Sequence, residues 1–376
     1  MDIILFFTYD YSLKLWDETG ILSREKIYFQ KLLDTDKDLK LTLVTYGGKS
    51  DLNYLLDIPR LKIIPVYTLL TYSNIKLLRY LKSFLIPFYL NKSIKNLDII
   101  KQFQLQGAWV SIIYKFITRK PIIIRTGYDM YKFSIEEGKS LFKKLMYRIL
   151  TKVSIEFSNC YTVSSKADKD FLHSTFKLKD KEIKIRPNWI LQKDYVPLSK
   201  RKRTSLLAIG RLEYQKNYTD LIKIFKNTHY EIDIYGEGSL KKDLLELSAD
   251  NSVKANFKGL LSYEDLIEEY KKYSFFLSAS IYEGNPKTIL EALSSGCIVI
   301  AIDEKNIREI IEDNKTGFLV KDSEQILIKL NQLLSDDKKM NFISKNAYQK
   351  TLDSNNIDVL VDKDISDFYF ILKSFD

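Results

Sequence analysis

Two carboxylates and a predicted helix start in residues 278–292 could act together on one ligand. A predicted apolar strand is followed by Glu283, a glycine, and then Asn285 and Pro286, which we predict as the N-cap and first residue of a helix. The start of a helix presents unpaired N–H groups and a positive dipole end, which suit a phosphate. Glu291 lies about 7–8 Å further along this helix, so the two carboxylates can accept hydrogen bonds from both ends of one anionic ligand. The pattern predicts a nucleotide-sugar site, although two solvated surface acids would show the same residues.

Two further glycine turns follow predicted strands in the same half of the chain. Arg211 and Lys216 flank the turn at Gly210, so both cations can converge on a diphosphate and neutralise a leaving group. In the next turn, Gly236 and Gly238 permit close approach of the backbone to a base or ribose. Basic loop residues and turn glycines are common, so each turn also has an ordinary structural explanation. The first turn of neither half shows the GxGxxG pattern typical of a dinucleotide site.

The elements that position these residues are short runs rich in Ile, Val and aromatic residues, which alternate with segments of helical periodicity. This alternation is typical of parallel sheets covered by helices and predicts an α/β fold. A length of 376 residues suits two domains. We predict domains over residues 1–195 and 196–355 and a closing helix over 356–376, with Pro197 and the basic cluster 200–203 in the linker. The predicted strands are 3–8, 40–46, 61–66, 98–103, 121–125, 161–164 and 183–186, followed by 206–210, 230–235, 253–258, 275–279, 298–302 and 317–320.

The composition disfavours several kinds of site. Cys160, Cys297, His173 and His229 are the only cysteines and histidines, which argues against a disulfide framework, a histidine metal site and a Ser-His-Asp triad. Residues 1–7 read as a strand rather than a signal peptide, and the apolar runs are shorter than the ~18 residues that span a bilayer. We therefore expect a cytoplasmic protein that is soluble or peripherally bound to a membrane.

The charge of the chain favours anionic partners. A formal net charge of +10 arises from 59 Lys and Arg against 49 Asp and Glu, although a general richness in Lys, Ile and Asn would also produce it. Basic amphipathic helices are predicted over residues 75–88 and 139–153, and the latter contains no carboxylate. Their apolar faces can rest on an anionic membrane or pack as core against a sheet, and both interpretations stay open. No basic motif interleaved with aromatic residues points to nucleic acid.

The segments described above occur together in a known family. Residues 206–320 resemble the donor-binding domain of glycosyltransferase family 4, also classed as glycosyl transferases group 1. The motifs that carry this specific resemblance are Gly210-Arg211…Lys216-Asn217, Gly236-Glu237-Gly238, Glu283…Glu291 and Asn314…Thr316-Gly317-Phe318-Leu319-Val320. The resemblance implies the GT-B architecture, in which two Rossmann-like α/β domains with parallel sheets face each other and a C-terminal helix closes back on the N-terminal domain.

The resemblance also implies roles for individual residues. The catalytic residues would be Glu283, Arg211 and Lys216, with the two cations on the donor diphosphate and Glu283 on the hydroxyl groups of the transferred sugar. Glu291 would meet the ribose, and the backbone near residues 286–288 would cap the phosphates. The donor-binding set is Gly20, Gly210, Gly236, Gly238, Asn285, Pro286, Lys287, Thr288 and Glu291.

The resemblance is weaker over residues 1–190, where the acceptor-side candidates are Tyr128, Asp129 and Asn188. Many family members carry a histidine near Tyr128 and Asp129, and this chain has none there, so these two residues either line the acceptor side or cap a loop. Asn188 ends a segment that closes the N-terminal domain in this family. Only Gly20 stands in the first strand-to-helix loop, where the family often has paired glycines.

The implied function is that of a retaining glycosyltransferase that needs no metal and no cofactor beyond its nucleotide-sugar donor. We expect a UDP-sugar carrying a hexose or N-acetylhexosamine, and an acceptor that is a saccharide or a lipid-linked saccharide. The expected pathway is the synthesis of a bacterial surface polysaccharide, such as lipopolysaccharide or capsule, or of a glycolipid. In the implied reaction the departing phosphate removes the acceptor proton, so no protein base is required.

Two alternative functions stay open. A nucleotide-sugar epimerase with a GT-B-like fold is disfavoured because such enzymes use acidic and histidine catalytic residues. A non-enzymatic protein that binds a membrane surface through its basic helices is disfavoured because a diphosphate site would serve no purpose in it.

Overall fold

The computed structural model describes residues 1–178 and 181–375, so Lys179, Asp180 and Asp376, the last residue of the predicted closing helix, lie outside the described residues. The chain divides into two compact units. The first comprises Met1–Pro187 with Leu360–Asp376, and the second comprises Asn188–Val359.

These boundaries differ from the predicted ones at residues 195 and 355, and long-range hydrogen bonds of Asn188 and Ile190 explain the first difference. The N–H of Asn188 donates to Oδ1 of Asn285 at 2.7 Å, and the N–H of Ile190 donates to the carbonyl of Asn355 at 2.8 Å. The residues that directly follow Pro187 are therefore held by the second unit.

Each unit contains one parallel sheet. In the described residues of the first unit the strands are β1 (Asp2–Phe6), β2 (Lys40–Thr45), β3 (Leu61–Pro65), β4 (Ile99–Gln102), β5 (Ile122–Thr126), β6 (Cys160–Val163) and β7 (Ile183–Ile185), in the order 3-2-1-4-5-6-7. In the second unit they are β8 (Ser205–Ile209), β9 (Glu231–Tyr235), β10 (Lys254–Gly259), β11 (Phe275–Ser278), β12 (Ile298–Ile302) and β13 (Phe318–Val320), in the order 10-9-8-11-12-13. Both orders are those of Rossmann-like sheets.

The composition of β5 and β12 shows why these strands form. Residues 122–124 are three consecutive isoleucines, and residues 298–302 alternate isoleucine with valine and alanine. β-Branched residues favour strands, and an apolar run without polar alternation is typical of a strand that is covered on both faces. All of these side chains except that of Ile302 are buried.

Helices cover the sheets. Those of the first unit are α1 (Leu13–Glu18), α2 (Ile21–Thr35), α3 (Lys76–Ser83), α4 (Ile86–Ser93), α5 (Ala108–Thr118), α6 (Met130–Glu136), α7 (Leu141–Phe157) and α8 (Lys166–Phe176). They are followed by α9 (Tyr218–Lys223), α10 (Lys241–Asp250), α11 (Tyr263–Tyr270), α12 (Lys287–Ser294), α13 (Lys305–Arg308), α14 (Ser323–Leu334), α15 (Asp337–Asn355) and α16 (Ile357–Phe375). Within residues 1–178 and 181–375, no helix has both the length and the apolar character needed to cross a bilayer.

One buried and two partly buried ion pairs attach α16 to the sheet of the first unit. Nζ of Lys101 on β4 donates to Oδ2 of Asp364 at 2.9 Å and to the Tyr28 hydroxyl at 3.0 Å, and Tyr28 donates to Asp364. Burial alone would raise the pKa of Asp364, but Lys101 and Tyr28 hold it below its ordinary value. One turn further along, Asp367 accepts hydrogen bonds from Lys184 at 2.8 Å and from Arg186. The closing helix therefore belongs to the packing of the first unit.

Replacing Asp364 with alanine should lower the free energy of unfolding by about 3–5 kcal/mol, because the ammonium of Lys101 would stay buried without its counter-charge. The double variant Lys101→Met/Asp364→Leu removes both charges and should cost clearly less. Urea unfolding followed by circular dichroism measures both losses. Equal losses in the two variants would contradict a role for charge pairing.

Candidate active site

The predicted catalytic residues lie at the carboxyl ends of β8 and β11. The strand order of the second sheet reverses between these two strands, and ligands bind open α/β sheets at such a reversal. The turn after β8 carries Arg211 and Lys216, and the loop after β11 carries Glu283. All three belong to the second unit.

An ion pair joins the two segments. Nζ of Lys216 donates to Oε1 of Glu283, and the two side chains are only 15% and 7% exposed. Gln215 supports the pair, since its Nε2 donates to the carbonyl of Tyr282 at 2.8 Å and to Oε2 of Glu283 at 3.4 Å. Arg211 donates from Nη2 to Oε1 of Gln215 at 3.2 Å. A carboxylate, an ammonium and a guanidinium are thus held in one hydrogen-bonded group.

Tyr218 lies beside this group. Burial, and then the charge of Glu283, raises the pKa of its hydroxyl, which therefore stays protonated. A Cβ atom added to Gly210 would lie 3.1 Å from both Cε of Lys216 and the hydroxyl of Tyr218. The absence of a side chain at Gly210 therefore leaves room for Lys216 to reach Glu283.

Gly236 and Gly238 are required by close packing between two turns. A Cβ atom on Gly236 would lie 1.9 Å from the carbonyl oxygen of Gly210, and one on Gly238 would lie 2.4 Å from that of Leu212. At both positions the atom that an added Cβ would meet belongs to the backbone, so neither Gly236 nor Gly238 can be replaced by a residue with a side chain. Packing alone explains these glycines, and their contact with a donor stays a prediction.

The start of α12 differs from the sequence prediction. Pro286 rather than Asn285 is the N-cap, and α12 begins at Lys287. Asn285 cannot serve as the cap because its Oδ1 accepts the N–H of Asn188, whose Nδ2 donates to the carbonyl of Asn285 at 2.5 Å. Asn306 holds the other side of the loop through a 2.6 Å bond from Nδ2 to the carbonyl of Gly284. The N-cap residue Pro286 makes no side-chain cap bond to α12, and the first turn of a helix suits an anion.

Glu291 lies within α12, and its side chain is buried. The hydroxyl of Tyr270 donates to its Oε2 at 3.2 Å. Burial, followed by the charge of Glu291, raises the pKa of Tyr270, which keeps this donor protonated. Thr288 and Lys287 occupy the first turn of the same helix. The contact of Glu291 with a ribose stays a prediction.

Comparison with known proteins finds a family match in the second unit. The sequence model described as "Glycosyl transferases group 1" matches residues 193–350, most of the second unit. Over these residues the chain is similar to the glycosyl transferases group 1. The predicted resemblance is confirmed at this level.

Relatives of this glycosyl transferase are bacterial. The amylovoran biosynthesis glycosyltransferase AmsD of Erwinia amylovora is 31% identical over 212 residues, which cover 52% of this chain and 59% of AmsD. A UDP-Gal:α-D-GlcNAc-diphosphoundecaprenol α-1,3-galactosyltransferase of Escherichia coli is 26% identical over 365 residues, which cover 91% of each protein. These names confirm the predicted enzyme class, glycosyltransferase.

A solved structure supports the fold. Anabaena HepE in complex with UDP and glucose has a TM-score of 0.75 at 16% identity, over 97% of this chain and 98% of HepE. This likeness confirms the predicted fold class, an α/β protein of the GT-B type.

The remaining predicted site residues of this glycosyl transferase have structural partners of their own. Gly20 has φ of 71° at the N-cap of α2, a left-handed conformation that favours glycine. Asp129 is fully buried and caps α6 by accepting the N–H of Lys132 at 2.7 Å, which is the capping alternative left open by the sequence. Tyr128 is exposed, with its ring 5.0 Å from that of Phe133. Gly20, Tyr128 and Asp129 all belong to the first unit, whereas the predicted acceptor-side residue Asn188 is in the second.

Three residues of the site were missed by sequence reasoning. Gln215 and Tyr218 adjoin Lys216 in the chain, so inspection of the neighbours of that predicted cation would have included them. Asn306 lies on α13 and has no sequence signal that connects it to Gly284. In the part of the chain that the structure describes, no three His, Cys, Asp or Glu side chains are grouped so as to hold a metal ion.

Asp129→Asn should stabilise the protein at neutral pH. Burial raises the pKa of Asp129 to about 6, with the Lys132 N–H opposing this effect and Asp168 adding to it. Because the folded state holds the proton more tightly than the unfolded state, stability falls as pH rises from about 4 to above 6. Asparagine caps a helix as well as aspartate does and carries no charge.

Thermal melts at pH 4.5 and 7.5 test this expectation. The melting temperature should rise at pH 7.5 and change little at pH 4.5. Asp336→Asn, at the exposed N-cap of α15, is the matched control and should show no pH-dependent gain. A gain for Asp129→Asn confined to pH 4.5 would contradict the assigned direction.

Proposed function

We propose that this glycosyltransferase retains the anomeric configuration as it moves a sugar from a UDP-sugar to a saccharide or lipid-linked saccharide acceptor. The product would be a bacterial surface polysaccharide or glycolipid. The observation that carries the proposal is the group formed by Arg211, Gln215, Lys216 and Glu283 at the strand reversal of the second sheet. The UDP and glucose bound to HepE, and the diphosphoundecaprenol acceptor in the name of the Escherichia coli relative, support the choice of donor and acceptor.

The ion pair is compatible with binding of a diphosphate. The ammonium of Lys216 has three N–H donors, so it can keep its bond to Glu283 while it donates to a phosphate oxygen. Arg211, which is bonded to Gln215, adds a guanidinium, and the start of α12 adds a dipole. Glu283 has a second carboxylate oxygen, which can accept a hydrogen bond from a sugar hydroxyl.

The proposed reaction needs charge stabilisation more than a protein base. The bond from the anomeric carbon to the donor phosphate breaks, the bond to the acceptor oxygen forms on the same face, and the acceptor proton passes to the departing phosphate. Negative charge develops on that phosphate, where Arg211, Lys216 and the start of α12 can stabilise it. Retention of configuration is what the resemblance to family 4 implies. The proposal includes no metal and no cofactor beyond the donor.

We place this chemistry in the cytoplasm, at the inner face of the plasma membrane. A lipid-linked acceptor is presented there, and the basic segments 75–88 and 139–153 supply cations that anionic lipids attract. The names of the relatives support a lipid-linked acceptor, and the exposed apolar residues of both segments support a peripheral position.

The epimerase alternative loses support because neither His229 nor His173 lies in the turn after β8 or in the loop after β11, where the predicted catalytic residues are. His229 precedes β9, so it lies at the amino end of that strand, whereas the site is at the carboxyl ends. Its ring centroid lies 4.2 Å from that of Tyr230. His173 lies in the last turn of α8, in the first unit. No second function is proposed.

Variants of the ion pair test the site. Glu283→Gln should reduce sugar transfer by about 100-fold or more while UDP still binds, because the carboxylate is assigned to the sugar. Lys216→Met should weaken UDP binding by about tenfold or more, because one charge-assisted bond to the diphosphate is lost. Calorimetric titration with UDP and a transfer assay measure the two effects.

The controls separate function from folding. Lys350 and Glu312 form an exposed ion pair of the same unit at 2.6 Å, so Lys350→Met and Glu312→Gln should leave both assays unchanged. Thermal melts are required for each variant, since Lys216→Met leaves Glu283 buried without its partner. Transfer by well-folded Glu283→Gln within about threefold of the wild type would refute the assignment.

A panel of nucleotide sugars identifies the donor. Slow hydrolysis and saturation-transfer contacts should select a UDP-sugar over GDP- and TDP-sugars. Proton coupling at the anomeric carbon of the glycoside product should then show the configuration of the donor. An inverted anomeric centre would disprove retention.

A further inference from the structure

Helix α7 presents a long apolar surface to solvent. Leu141, Phe142 and Leu145 are 84%, 71% and 56% exposed, and Met146 and Ile149 are exposed as well. At 3.6 residues per turn these five side chains cover about 140° of the helix surface. Isolated apolar side chains on a surface are ordinary, but five on one side of a helix form a continuous patch of the kind that marks an interaction site.

The opposite side of α7 supplies the packing. Thr151, Ser154 and Ile155 are its buried residues, and the helix contacts α5 and α6. The core interpretation of the apolar side is therefore wrong for residues 141–149. The helix is held by a small, partly polar face, and its larger apolar face is left unpartnered by the described residues of this chain.

Cations border the apolar patch on both sides. By helical spacing, Lys143 lies beyond Met146 on one edge and Arg148 lies beyond Leu141 on the other, while Lys152 follows Leu145 two turns later at the end of the patch. All three cations are exposed, and none forms a salt bridge with any residue that the structure describes. An apolar stripe with unneutralised cations along both edges is the pattern of a helix that lies in the plane of an anionic lipid surface.

Helix α3 has the same sequence pattern, but its cations Arg79 and Lys82 form hydrogen bonds with other residues of the first unit. Arg79 is buried and bonds to both carboxylate oxygens of Asp10, at 3.1 and 2.7 Å. Lys82 donates to the carbonyl of Thr71 at 3.0 Å. Leu77 and Leu81 are exposed, but fewer cations are available around them to meet lipid phosphates. The two basic amphipathic segments are therefore not equivalent.

We infer that α7 is the element that docks this protein on an anionic membrane, with Leu141, Phe142 and Leu145 inserted among the lipids and Lys143, Arg148 and Lys152 on their phosphates. A second copy of the chain is a poorer occupant of this surface, because pairing two α7 helices would bring like charges together. The inference deepens the proposed function, from which it takes a lipid-linked acceptor, and names the surface that brings the enzyme to it.

Vesicle flotation with the full chain tests the apolar contacts. The wild type should bind vesicles of phosphatidylcholine with about 30% phosphatidylglycerol and bind pure phosphatidylcholine much less. Leu141→Ser/Phe142→Ser/Leu145→Ser should reduce binding to the mixed vesicles by about tenfold or more. The control Leu245→Ser/Ile328→Ser/Phe342→Ser changes three exposed apolar side chains of the second unit and should bind like the wild type.

Two further variants test charge and depth. Lys143→Gln/Arg148→Gln/Lys152→Gln should lose the preference for phosphatidylglycerol, and 0.5 M salt should reproduce that loss in the wild type. Phe142→Trp should be quenched by brominated acyl chains, whereas Phe342→Trp, which replaces a phenylalanine that is 55% exposed, should not be quenched.

The outcomes are separable. Equal vesicle binding by the α7 serine variant and its control would overturn the inference. It would also be overturned if light scattering showed that the wild type is a dimer and that the serine substitutions dissociate it. UDP binding is measured on the same proteins and should be unchanged in every α7 variant. If vesicles bind through α7 while UDP does not bind at all, the proposed function fails and the docking surface stands.

Discussion

The structure around the candidate site of the second unit depends on the ion pair of Glu283. A carboxylate that is buried in a protein needs a counter-charge, because an unpaired buried charge is strongly destabilising. The partner, Lys216, comes from the turn after β8, whereas Glu283 follows β11. The parallel sheet brings the carboxyl ends of both strands to the same edge, and Gln215 donates at 3.4 Å to the other carboxylate oxygen, which can still accept a second hydrogen bond. Because the pair is internal, both charges are already oriented before a donor arrives. This preorganisation is what electrostatic stabilisation of a leaving phosphate requires.

The backbone around the ion pair is equally constrained. The turns after β8 and β9 approach so closely that Gly236 and Gly238 cannot carry a side chain. The loop before α12 is held from two directions, by Asn188 and by Asn306. These contacts set the position of the helix start, whose N-cap residue Pro286 makes no side-chain cap bond. A site that binds an anion through backbone N–H groups gains from such rigidity, since no group has to be ordered on binding.

Two amphipathic helices show which features a sequence pattern predicts and which it does not. Both α7 and α16 have apolar residues at helical spacing, and the pattern correctly predicts a helix in each case. In α16 the carboxylates Asp364 and Asp367 pair with Lys101 on β4 and with Lys184 on β7, so this helix packs on the sheet. In α7 the cations find no such partners among the described residues, and a short polar face is buried instead. Periodicity identifies the faces of a helix, but the available partners decide which face is buried.

The sequence by itself determined the α/β class, the positions of the strands and the motifs that form the candidate site, because apolar runs, glycine turns and charged residues are local signals. Only the tertiary structure decided that Lys216 neutralises Glu283, that Asn285 bonds Asn188 instead of capping α12, that Asp129 is a buried cap, and that the apolar side of α7 is exposed. The first two depend on hydrogen bonds between residues distant in the chain, and the burial of Asp129 and the exposure of α7 depend on which surfaces the other elements cover. These outcomes are set by how the elements pack, which local spacing does not encode.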